Sequence, residues 1–161
     1  EGALEAVASA GVAVCLMHMR GTPATMQSAP EYRDVVAEVR DFLVSRARAC
    51  EAAGIARDRI VVDPGFGFGK TQAHNLDLLA GLTAIAAAGY PVLAGLSRKS
   101  MLGAITGRPG SGRTAASVAG ALLAVERGAS IVRVHDVRET VDALAVWRAL
   151  DERERERGRT E

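Results

Sequence analysis

Aromatic residues are scarce, at 4% of 161. A core of any size must therefore come from Ala, Val, Leu and Ile, which the 48% hydrophobic content can supply. Cysteine is scarcer still. Cys15 and Cys50 fall in a predicted strand and a predicted helix and cannot make a disulfide framework. Buried, reduced thiols in a cytoplasmic protein are the expected reading. No sign of charge dominates. The net charge is +1, with no basic block inside the folded region, so nucleic acid is not expected as a partner. No apolar run reaches membrane length and no signal-peptide pattern opens the sequence, so no membrane partner is expected.

Two nucleotide motifs are also missing. A phosphate-binding P-loop needs glycine five residues before its Gly-Lys-Thr ending, and before Gly69-Lys70-Thr71 that position is Pro64. The dinucleotide pattern fails as well, because the third glycine after Gly65 and Gly67 would stand where Lys70 is. What is present is Asp63-Pro-Gly-Phe-Gly-Phe-Gly-Lys70, directly after the apolar run Ile60–Val62. A carboxylate thus sits at a strand end, on a turn where glycine lets a ligand approach the backbone.

The pattern is strand then helix, four times. Val12–Met17 reads as the first strand, and the Ser28/Glu31 capping-box spacing starts its helix. Val35, Val39, Phe42, Ala47 and Cys50 mark that helix's apolar face, and Gly54 stops it. Ile60–Val62 is the second strand. A helix over residues 73–88 follows, striped by Leu76, Leu79, Leu82 and Ala86. Pro91–Leu96 is the third strand, with a short helix at 100–105 and a longer one at 115–127. Ile131–Val134 is the fourth. Asp136 and Glu139 can cap the last helix, whose stripe is Val141, Leu144, Val146 or Trp147, and Leu150. Residues 1–150 read as one barrel segment. Residues 151–161 read as a charged tail that extends this helix and then frays.

Continuous apolar strands alternating with helices imply a parallel α/β sheet covered on both faces. A doubly wound sheet and a TIM-type (β/α)8 barrel both fit. Polar residues end every strand: His18 and Arg20, Asp63, Ser97 to Lys99, Arg133 and His135. That favours the barrel, which draws its site from several strand ends at once. Four units make half a barrel of roughly 250 residues.

Each candidate has a plain alternative. Asp63 is either a turn residue or an acceptor of two hydrogen bonds from an amino-pyrimidine edge. Lys99 is either a surface lysine or a ligand contact, and Phe68 either core or a face for an aromatic ring. Arg133 and His135 alternate along the predicted fourth strand and point the same way. They form either a satisfied interior pair or an anion site with a bidentate guanidinium fork. His18 reads as local packing and His74 as structural. No three of His18, His74, His135, Cys15 and Cys50 have metal-ligand spacing, so no protein-only metal site is expected.

The segment DPGFGFGKTQAHN resembles the signature of the dihydropteroate synthase family. Leu16–Gln27, Gly95–Gly103 and Ile131–Asp136 agree with it, in order and spacing. The resemblance implies the C-terminal half of a pterin-binding TIM-type barrel, with a metal loop and two further pterin-holding residues expected in the other half. It implies condensation of para-aminobenzoate with hydroxymethyl-dihydropterin pyrophosphate, giving dihydropteroate and pyrophosphate in folate biosynthesis. It also implies Mg²⁺ bound through the pyrophosphate, a homodimer through the C-terminal helices, and inhibition by sulfonamides. Lys99, Arg133 and His135 would take part in the chemistry. Met17, Asp63, Gly67, Phe68, Gly95, Ser97, Arg98 and Ser100 would contact the substrates. A non-catalytic pterin-binding paralogue or a pterin-binding methyltransferase module are the alternatives. The intact Arg133, His135 and Ser97–Ser100 argue against the first, and the DPGFGFGK and SRKS motifs against the second.

Overall fold

A computed structural model describes residues 2–158. The order is α1 (Ala3–Ala10), β1 (Val14–Met17), α2 (Val35–Ala52), β2 (Ile60–Asp63), α3 (Gln72–Ala80), α4 (Leu82–Ala86), β3 (Val92–Ala94), α5 (Ser100–Thr106), α6 (Thr114–Glu126), β4 (Ala129–Val132) and α7 (Val137–Gly158). The strands form one parallel sheet in chain order, β1-β2-β3-β4. A doubly wound sheet reverses its order at a switch point. The sequential order is the one consecutive barrel strands adopt.

Strand alternation divides the sheet into two faces. Val14, Leu16, Ile60, Val62, Val92 and Ala94 turn toward the helices and join the core. Cys15, Met17, Val61, Leu93 and Ile131 turn the other way. That second face is apolar yet open: Ile131 is 41% exposed and Met17 37%. Cys15 is therefore exposed, contrary to expectation, while Cys50 is buried; both are free thiols. The strands read as two-sided apolar runs, but helices cover only one side.

Several boundaries differ from the sequence reading. α2 starts at Asp34, not Ser28: the Asp34 carboxylate accepts from the Val36 and Ala37 amides, both at 3.0 Å. Pro30 keeps the residue before it out of the helical region, and Ala29 stands at φ +59°. Leu43, not Phe42, completes the buried stripe of α2. Phe42 instead meets the His18 ring edge-on at 5.0 Å. The helix expected over 73–88 breaks into α3 and α4 at Gly81, where a Cβ would overlap the Val36 methyls. The break turns Leu78, Leu79, Leu82 and Ile85 into the core and leaves Leu76 exposed.

β4 begins and ends two residues earlier than expected, so Arg133 and His135 lie beyond it. α7 runs through Gly158 with Val141, Val146 and Leu150 exposed. The frayed end expected for the tail falls on 159–161, outside the described residues. Among the described residues no helix is long and apolar enough to cross a membrane.

An open apolar sheet face flanked by two edge strands favours association. The 161-residue chain expressed alone is expected to self-associate, and Ile131→Lys to weaken that association. Sedimentation velocity checks this. A compact monomer for the parent at tens of micromolar contradicts it.

Candidate active site at the strand ends

The loop after β2 is built from inside. Gly65 and Gly69 stand at φ +68° and +64°. A Cβ on Gly65 would overlap the His18 carbonyl, and one on Gly69 the Arg20 carbonyl. Glycine is thus required twice, by backbone conformation and by close approach. Lys70 then folds back under the loop, where it is only 3% exposed. Its Nζ donates to the Gly65 carbonyl at 3.0 Å and the Phe68 carbonyl at 3.1 Å, and lies 3.0 Å from His18 Nδ1. Side chains reach two more carbonyls: Gln27 bonds that of Gly67 and Tyr32 that of Gly69. Asn75 on α3 accepts from the Gly67 amide at 2.7 Å.

The loop delivers Asp63 and Phe68. Asp63 is buried. Its Oδ1 accepts from the Gly65 amide at 2.8 Å, so the turn role is real for one oxygen. Its Oδ2 faces Arg133 at 4.0 Å, at the limit of an ion pair. Burial holds the carboxyl above its ordinary value, against the Gly65 bond and the nearby cations, Arg133 first among them. Met17 lies opposite Asp63 in register. Arg133 crosses Gly95, where a Cβ would meet Nη2 at 3.1 Å. Its backbone amide continues the ladder to the Ala94 carbonyl at 3.0 Å. Met17 and Asp63 are register partners level with Leu93 and Ile131, and Gly95 and Arg133 follow two residues later, just past β3 and β4; all four lie on the open face and make a staggered row at the strand ends.

Lys99 and Phe68 close one side of that row. The Lys99 ammonium sits 4.2 Å above the Phe68 ring, and its stem passes Gly67. Burial lowers the Lys99 pKa, with Arg133 adding to the effect and Asp63 opposing it. On the other side, Ser97 Oγ accepts from the His135 amide at 3.1 Å and lies 3.0 Å from Nδ1. If the hydroxyl donates to Nδ1, the ring proton resides on Nε2, leaving a donor toward the pocket. Gly95, Ser97, Lys99, Arg133 and His135 line a pocket of about 260 Å³. Arg133 is 64% exposed beside it, so its fork is free for a ligand.

Two predicted residues sit apart from the row. Arg98, at φ +58°, points its guanidinium at Asp136 through Nη2 at 2.6 Å and Nε at 3.2 Å. The Asp136 carboxylate thus ties the β3 and β4 loops together, where a helix-capping role was expected. Ser100 opens α5 and lines a small cleft with Lys70 and Asn75. His74 caps α3 with Thr71, in keeping with a structural role. A larger hollow of about 650 Å³ lies at Arg20, Tyr32, Glu38 and His74. There Arg20 is already engaged by Glu38, the Glu31 carbonyl and the Tyr32 ring, so it carries no free charge toward the hollow.

The sequence reading missed Lys70, Asn75 and Gln27 as braces of the loop. Their partners are backbone carbonyls and amides, which residue identity does not reveal. The GK ending did signal a lysine among glycines. Its partners are two of the loop's own carbonyls and the His18 ring.

His18 is pushed down to about 4 from 6.5, by burial first and by Lys70 second. Its folded pKa lies below the unfolded one, so between the two the unfolded chain binds more protons. Stability is expected to fall as pH drops from about 6.5 to 4. Thermal melts across that window check this. His18→Gln keeps an acceptor that does not titrate and should flatten the slope. An equal slope in parent and variant contradicts the assignment.

The family model described as "Pterin binding enzyme" matches residues 1–135. The dihydropteroate synthase of Neisseria meningitidis serogroup C is 55% identical over 153 residues, covering 93% of this chain and 54% of that protein. A Yersinia pestis dihydropteroate synthase in complex with a sulfonamide drug matches at TM-score 0.91 and 47% identity, over 94% of this chain and 55% of that one. A Xanthomonas albilineans dihydropteroate synthase with 7,8-dihydropteroate matches at TM-score 0.86 and 55% identity, over 93% and 55%. The chain spans about half the length of the curated relatives it matches. The row of residues at the strand ends lies wholly within the matched segment, and the chain belongs to the pterin binding enzyme family.

Proposed function

We propose that the full-length protein is a dihydropteroate synthase. The observation that carries this reading is the row at the strand ends. A buried carboxylate and an exposed guanidinium share one face, with a lysine–phenylalanine stack beside them. The acid suits the amino-pyrimidine edge of a pterin. The guanidinium, with His135, suits a pyrophosphate.

In the proposed reaction the amine of para-aminobenzoate attacks the methylene carbon of the pterin. The bond from that carbon to the pyrophosphate oxygen breaks, and the amine proton passes to solvent. Asp63 and Lys99 orient the pterin so that its methylene faces the amine. Arg133 and His135 meet charge growing on the departing oxygens, where preformed donors act most strongly. Phe68 and Ser100 seat the aminobenzoate. Retention of an exposed guanidinium only loosely paired with Asp63 weighs against a pterin binder without chemistry.

The residues described here do not fit a protein-held Mg²⁺. Among them no three His, Cys, Asp or Glu groups cluster as ligands, and the pocket is cationic. A Mg²⁺ in this reading would be carried by the pyrophosphate and would help neutralise its charge. A homodimer through the C-terminal helices belongs to the same proposal, supported by exposed Leu123, Val137, Val141 and Val146 on α6 and α7. So does a cytoplasmic setting, in keeping with two free thiols.

Arg133→Ala in the full-length protein is expected to lower kcat about 10²–10³-fold, the usual effect of losing one transition-state donor. A steady-state kcat within threefold of the parent contradicts the role. Asp63→Asn is expected to weaken a pterin analogue far more than aminobenzoate, because the amide puts a donor where an acceptor is needed. Calorimetry reads both affinities. Equal pterin affinity in parent and variant would reduce Asp63 to its turn.

A further inference from the structure

Gln27 lies between β1 and α2, and its hydrogen bond goes to backbone and to no side chain assigned to the reaction. Its Nε2 donates to the Gly67 carbonyl at 2.7 Å. The Gly67 amide is held from the opposite side by Asn75 Oδ1, also at 2.7 Å. One glycine thus has its N–H and its C=O pinned by side chains from two other segments. A free glycine peptide next to an aromatic side chain would let that ring wander, because glycine has the largest backbone freedom to lose.

What Gly67 positions is specific. The Lys99 stem runs along it, 3.4 Å from where a Cβ would stand, and the Lys99 ammonium sits above the ring of the next residue, Phe68. The Phe68 carbonyl is fixed separately by Lys70. Asp63 belongs to β2 and takes its hydrogen bond from Gly65, not Gly67. The Gln27 bond therefore bears on the Phe68–Lys99 pair and not on the acid at the other end of the row. Gln27 is itself exposed, so its loss leaves the Lys70 and Asn75 ties intact and lets water reach the freed carbonyl.

We propose that Gln27 is a positioning residue for the aromatic acceptor: by holding the Gly67 carbonyl it sets the Phe68 ring against the Lys99 ammonium. The ligand class is an arylamine bearing a carboxylate, whose ring would lie on Phe68 and whose charge would lie near Lys99. This rests on the reading of Phe68 and Lys99 as the acceptor's seat.

The test uses the full-length protein with Gln27→Ala and with Gln27→Glu, which keeps the shape and loses the donor. Steady-state KM for para-aminobenzoate, kcat, and calorimetric affinity for a pterin analogue are read side by side. One hydrogen bond of ordinary net strength corresponds to roughly a three- to tenfold rise in acceptor KM. Pterin affinity and kcat are expected to stay within twofold of the parent. An unchanged acceptor KM in both variants overturns the proposal. So does an equal loss for pterin and acceptor, which would mark general loosening of the loop. A parent that binds pterin but takes no arylamine would overturn the acceptor seat itself, a failure distinguishable because it precedes any mutation.

Discussion

A buried ammonium without a carboxylate in contact holds this site together. Removing a charged amine from water is costly unless its donors are satisfied. Lys70 meets that cost with two carbonyls and an imidazole nitrogen, and burial still pushes its pKa down to about 8. The arrangement constrains its surroundings. His18 must be neutral to accept at Nδ1, and burial first, with the Lys70 charge second, pushes its pKa down to about 4. Gly65 and Gly69 must be glycine, because the loop that wraps the amine runs against the His18 and Arg20 carbonyls. Phe68 is carried on this wrapped loop and so takes its position from Lys70, while Asp63 ends β2 and holds the loop's first turn through the Gly65 amide.

The charge layout follows from the sheet. Parallel strands bring their C-terminal ends to one edge of the sheet, where Asp63 ends β2 and Arg133 follows β4 and reaches back toward it. They stand at 4.0 Å, too far for a tight bidentate pair. An acid held above its ordinary pKa and a guanidinium left largely in solvent are both poised for other partners. The loops beyond are locked instead to each other. Arg98 grips Asp136, and Ser97 meets His135, so the loops after β3 and β4 that wall the pocket are joined. Ion pairing is thus strong where it shapes the pocket and weak where a ligand would enter.

Much of this was legible in the sequence because apolar runs and strand-end polar residues are local signals. Asp63, Lys99, Arg133 and His135 were found that way, and the structure brings them together. The predicted reason for Arg133 and His135 was different: β4 stops at Val132, so their approach comes from the loop and from Ser97 rather than from strand alternation. The start of α2 misled because Ser28 and Glu31 have the right spacing while Pro30 forbids the conformation. The α3–α4 break was invisible because it depends on Gly81 meeting Val36, a contact between segments far apart in the chain. Gln27, Lys70 and Asn75 escaped for a related reason: each recognises backbone, and backbone has no sequence signature.

The central claim is that one row of residues holds the two ends of one substrate, the pterin edge at Asp63 and the pyrophosphate at Arg133. The most direct measurement is a crystal structure of the full-length protein with hydroxymethyl-dihydropterin pyrophosphate. The predicted result is the pterin amino group and ring nitrogen within hydrogen-bond distance of the Asp63 carboxylate, with pyrophosphate oxygens on Arg133 and His135. A ligand whose pyrophosphate lies away from both residues, or whose pyrimidine edge faces away from Asp63, would contradict it.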